Sequence, residues 1–120
     1  MTKRKWKSKI KKATSDAGTY KKFFEPVIDT LAGILERRDM AADAFEENGG
    51  EIVVEHTNKN GSTYWEQNPA LRALNDLNRD ALAYWRDLGL TPAGLKRIDE
   101  QALKVKPKNA LAAALEELGG

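Results

Sequence analysis

The sequence predicts a mainly α-helical domain. One β-hairpin is inserted between a first long helix and a second helix opened by Asn68-Pro69, and a basic N-terminal arm precedes both. Three observations predict this arrangement. Apolar residues recur at helical period from Tyr20 to about Glu47 and again from Pro69 to about Leu88. Between these stretches, two short strand-like runs flank an Asn-Gly turn. The first 22 residues carry nine Lys or Arg against one acid, Asp16, a net +8; with the whole chain at +2, the remainder carries −6.

The arm, residues 1–19, holds Lys3, Arg4, Lys5, Lys7, Lys9, Lys11 and Lys12, with Trp6 and Ile10 as its large apolar residues. Its charges repel one another, and Ser15-Asp16-Ala17-Gly18 reads as a hinge or turn. A flexible arm is expected, either disordered or helical only on a partner. Trp6 would then stack on a base or dock against another subunit.

Residues 20–99 form the expected helical core. In its first helix Phe24, Val27, Ile28, Leu31, Ile34, Leu35, Ala42 and Phe45 fall on one face. Pro26 fits the first turn, where its missing N–H costs nothing, so the helix starts near Glu25. Asn48-Gly49-Gly50 ends it. Arg38 lies inside the apolar stripe. Its stem packs while its head reaches solvent, or it forms an ion pair across a subunit interface.

The runs around residues 51–57 and 62–67 make the hairpin, with Asn60-Gly61 in its turn. A lone hairpin is marginal in water, so this one is expected to pack on a helix or on a neighbouring subunit. Asn68 as N-cap and Pro69 in the first turn then open a helix whose Leu71, Leu74, Leu77, Ala81, Leu82, Trp85 and Leu88 share a face. Asn78 falls inside that stripe, as a core hydrogen-bonding residue or a register device at an interface. Gly89 ends the helix, and Thr91-Pro92 starts a short one to about Asp99, with Leu95 and Ile98 inward. The pair is a helix–turn–helix in the loose geometric sense. Residues 100–120 read as a linker and a short amphipathic helix carrying Leu111, Ala112, Leu115 and Leu118.

Composition excludes several classes of function. The absence of cysteine removes disulfide scaffolds and Cys-based zinc sites. His56 is the single histidine, so one subunit holds neither a Cys–His pair nor a multi-His metal site. No phosphate-binding glycine loop occurs. No apolar run approaches the roughly 20 residues that span a bilayer. No catalytic residue, metal ligand or cofactor is therefore assigned, and a soluble cytoplasmic protein is expected. A nuclease built from carboxylates alone is the least favoured reading. The arm is the strongest functional signal. Lysines interleaved with Trp6 suit phosphate contact without base reading. Nucleic acid is favoured over the alternative, an arm that binds an acidic protein surface, because of the charge contrast between arm and body.

The order of a helix ending in Glu46-Glu47-Asn48-Gly49-Gly50, a hairpin with an Asn-Gly turn, Asn68-Pro69, and Leu88-Gly89-Leu90-Thr91-Pro92 followed by Lys96 and Arg97 resembles a family of phage terminase small subunits. The resemblance spans about Tyr20 to Asp99. The family often carries Ser-Arg directly after Thr-Pro, whereas here the basic pair is displaced to Lys96-Arg97. The resemblance implies a non-enzymatic protein of the bacterial host cytoplasm that assembles into rings, binds double-stranded viral DNA and delivers it to the terminase large subunit, whose ATPase and nuclease it regulates. On this reading Lys96 and Arg97 join the arm as candidate DNA contacts. Arg38, Asn78 and the hairpin residues Tyr64 and Trp65 are candidates for contacts between subunits, and Asn109 to Leu118 for docking the large subunit.

Overall fold

A computed structural model of the chain describes residues 1–102. Its elements in order are helix α1 (Lys3–Ala17), a 3-10 turn (Lys22–Phe24), helix α2 (Glu25–Glu47), strands β1 (Val53–Thr57) and β2 (Thr63–Gln67), helix α3 (Pro69–Asp87), and helix α4 over residues 92–102. The fold is mainly α with one antiparallel hairpin between α2 and α3. The expectation for the C-terminal helix at 109–118 lies outside the described residues.

Each boundary has a local cause. Thr2 caps α1, its hydroxyl accepting from the Lys5 N–H at 3.3 Å. Gly18 closes α1 at φ +76°, a left-handed turn that favours glycine. Pro26 sits in the first turn of α2. The Asn68 side chain accepts from Ala70 N–H at 3.0 Å and starts α3. The Thr91 hydroxyl accepts from Gly94 N–H at 3.0 Å at the start of α4. Gly89 separates α3 from α4 at φ +73°, and a Cβ there would stand 2.8 Å from both Ile98 Cδ1 and Thr19 Cγ2.

Helix α2 is central, with α1 and α3 packed against it. It buries Ile28, Leu31, Ile34 and Leu35, as its apolar stripe predicts, and Ala32 as well, because α1 covers a second face. From α1 come Ile10 and Thr14; from α3 and its end, Ala81 and Leu88. The Thr19 hydroxyl donates to Leu88 O at 2.7 Å in the buried region, tying the α1–α2 connection to the end of α3. Every buried side-chain polar atom among the described residues has a partner.

Three expectations are corrected or narrowed. The N-terminal segment, expected as a flexible arm, is a docked helix. Asn78, expected inside the core or an interface, is exposed on α3, so it is no core hydrogen-bonding residue. The hairpin, expected on a helix or on a neighbouring subunit, has no helix packed along it among the described residues, and only Arg72 of α3 reaches it, donating to Gln67 at 3.4 Å. It is held at its root instead. Asn68 is 5% exposed; its side-chain amide donates to Glu51 O and its backbone N–H to Ile52 O, both at 2.8 Å. At the tip, the Asn58 side chain accepts from Asn60 N–H at 3.0 Å and Ser62 N–H at 3.1 Å.

Candidate nucleic-acid interface

Helix α1 folds because α2 supplies the acids it lacks. Its one acid is Asp16, and alone its lysines would repel one another. At 3.6 residues per turn, Lys3, Lys7 and Lys11 line one flank beside the buried Ile10 and Thr14. Opposite them, α2 presents Glu25, Asp29, Glu36 and Asp39, at a spacing that keeps one stripe facing α1. Lys3 and Lys7 ammonium groups lie 3.1 and 3.6 Å from the Asp29 carboxylate. Lys11 lies 2.9 Å from Glu25 Oε1, which also accepts from the Tyr20 hydroxyl at 2.9 Å. Glu36 Oε2 accepts from the Lys3 backbone N–H at 2.7 Å, placing a negative charge at the positive end of α1.

These contacts move the titrations. The hydrogen bond from Lys11, then that from Tyr20, holds the Glu25 carboxyl below the usual carboxylate range. Lys3 does the same for Asp29. The bond to Glu25 raises both Lys11 and Tyr20. At Asp39, burial favours the neutral acid, but hydrogen bonds from Trp6, the N-terminal ammonium and Arg38 outweigh it, and the carboxyl stays low.

Trp6 is half-buried, with Lys9 Nζ 5.2 Å and Arg38 Cζ 5.3 Å from its ring centroid. It docks inside its own chain. Arg38 is half-buried, with its head 3.1 Å from Asp39 Oδ1.

The seven basic residues of α1 therefore divide. Lys3, Lys7 and Lys11 are engaged with α2. Arg4, Lys5, Lys9 and Lys12 are exposed and in no ion pair with another described residue. With Ser8 they cover about 140° of the outer surface of the helix. Lys96 and Arg97 are exposed on α4. Arg97 lines a cleft of about 250 Å³ together with Arg86, Asp87, Gly94, Ile98 and Gln101, whereas Lys96 does not. Of the residues considered for subunit contacts, Tyr64 is 44% and Trp65 68% exposed. His56 stands beside Tyr64, 3.5 Å from Glu66.

Sequence reasoning missed the acidic stripe of α2 and Arg86. The stripe was legible in the 25–29–36–39 spacing opposite lysines spaced by four. Arg86 carried no signal until α4 was seen to cross over it.

Among the described residues no group of three or more His, Cys, Asp or Glu is placed to hold a metal ion, and no helix is long and apolar enough to cross a membrane. The class so defined is a small helical domain with a fixed basic face and a projecting hairpin. The family model described as phage terminase, small subunit, matches residues 2–104, and the chain belongs to that family. DNA packaging follows from the family as its field of action. No curated protein and no solved structure matches the chain.

Proposed function

We propose that this chain is a DNA-packaging adaptor. It binds double-stranded viral DNA in the cytoplasm of the bacterial host, assembles with copies of itself, and presents DNA to the terminase large subunit, whose ATPase and nuclease it regulates. It performs no chemistry of its own. The observation that carries this reading is the outer face of α1, where Arg4, Lys5, Lys9 and Lys12 stand on a helix whose other lysines are already neutralised by α2. Such a face meets phosphates rather than base edges, because lysine is a point charge without a fork. Repetition around an assembly would convert weak contacts into avidity. Contacts between copies are assigned to the exposed Tyr64 and Trp65, with Asn78 and Arg38 as further candidates.

Duplex binding measured against salt tests the reading. Four phosphate contacts per subunit give a log–log slope of about −3.6, whereas all seven basic residues would give about −6. Substituting Arg4, Lys5, Lys9 and Lys12 together by Gln should abolish most of the slope and leave the fold intact. A chain that ignores duplex DNA in dilute buffer overturns the proposal.

A further inference from the structure

Helices α3 and α4 meet where there is no room for a side chain. A Cβ on Gly94 would collide with the carbonyl oxygen of Arg86 and stand 2.9 Å from its carbonyl carbon. Gly94 is buried, while Arg86, in the last turn of α3, and Arg97, one turn beyond Gly94, are exposed. The crossing fixes the two backbones against each other, and the two arginines line one cleft. Gln101 adds an amide donor, and Asp87 is the one acid lining it among the described residues. Neither arginine forms an ion pair with another described residue. At about 250 Å³ the cleft is smaller than the roughly 300–1,000 Å³ of small-molecule sites, and among the described residues Ile98 is its one large apolar wall.

Two guanidinium groups carried on backbones in close contact suit a tetrahedral oxyanion, which each can grip with paired N–H donors. We propose that this cleft holds a single phosphate of the duplex backbone, gripped jointly by Arg86 and Arg97, with Gly94 as the residue that sets their spacing. The site deepens the DNA reading above and rests on it. The lysines of α1 supply loose, sliding contacts. The arginine pair supplies a directional one that fixes where the backbone lies relative to the α3–α4 turn.

The test measures duplex binding by fluorescence anisotropy from low to high salt, with the full chain and with R86Q, R97Q and the double variant. One shared phosphate predicts that the double variant flattens the slope by about 0.9 and each single variant by less, since the remaining arginine still neutralises it. Arg97→Lys, which keeps the charge and loses the fork, should keep the slope and weaken binding several-fold. Gly94→Ala should weaken binding as R97Q does; if it fails to fold, Arg97→Lys carries the point. In a parallel arm, millimolar inorganic phosphate should shift the backbone amides of residues 86, 94, 97 and 101, and the duplex should displace it. A slope loss of about 1.8 in the double variant means two separate phosphates and overturns the shared site. So does a phosphate response at these amides with duplex binding unchanged in all variants, or capture of a polyglutamate peptide through these arginines with no effect on the duplex. If the unaltered chain binds no DNA, the DNA reading itself has failed. If it binds, and only the α1 substitutions matter, the cleft alone has failed.

Discussion

The indole N–H of Trp6 donates to Asp39 Oδ2 at 2.7 Å, joining the first turn of α1 to the middle of α2 across 33 residues of sequence. The same oxygen receives the N-terminal ammonium at 3.1 Å. Asp39→Ala strips both donors of their acceptor in a half-buried setting. We expect a loss of about 1–3 kcal/mol in urea unfolding, with most helix content kept. An unchanged midpoint would show that the indole finds water as readily as it finds Asp39.

Ile10 is fully buried between α1 and α2. Ile10→Ala should destabilise the domain by about 2–5 kcal/mol in denaturant unfolding. A freely moving arm would give no change at all, so this one substitution separates a docked helix from a loose one.

Acid should loosen α1 before the rest of the molecule. Glu25 and Asp29 titrate lower in the folded chain than in the unfolded one. The stability they contribute is therefore present above the ordinary carboxylate range and is lost as pH falls below about 4. Lys11 and Tyr20 are shifted upward, so their contribution is present at neutral pH and is lost as pH rises past about 10. Thermal midpoints followed by circular dichroism should fall at both ends. Lys11→Met should weaken the dependence at each end, because it removes the partner common to both.

Trp65 lies 68% exposed on a hairpin that meets the described helices only at its root, where Arg72 of α3 donates to Gln67 at 3.4 Å. Trp65→Ser should shift the stability of the isolated fold by no more than about 0.5 kcal/mol. The mass of any assembly measured by light scattering should drop toward the 13.4 kDa of one chain. A variant that assembles as before would place subunit contacts on the helices instead.

Much of the fold was legible in the sequence because its signals are local. Pro26, Asn68-Pro69 and Gly89 mark helix ends through backbone geometry that no tertiary contact alters. The Asn60-Gly61 turn sets the hairpin in the same way. The arm was not legible by that route, since a run of lysines is read as self-repelling until its counter-charges are known. Those charges sit on α2, from its first residue to about four turns in. The spacing Trp6, Ile10, Thr14, Ala17 does carry a helical stripe, weak because two of its members are small or polar. Asn78 misled for the opposite reason: it shares a stripe with leucines by angle, but α3 buries a narrower arc than that stripe implies. The candidate site was half visible. Its residue types were evident, but their division into engaged and free lysines depends on which flank of α1 meets α2. The pairing of Arg86 with Arg97 depends on a crossing point that only the fold reveals.

Asn68 clamps the root of the hairpin through Glu51 and Ile52, while among the described residues no helix is packed against its far end. The hairpin is thus a cantilever whose bearing is inherited from the axis of α3. Its amides can exchange with solvent through a local opening far cheaper than global melting, so this element can soften and re-form while the three-helix body stays intact.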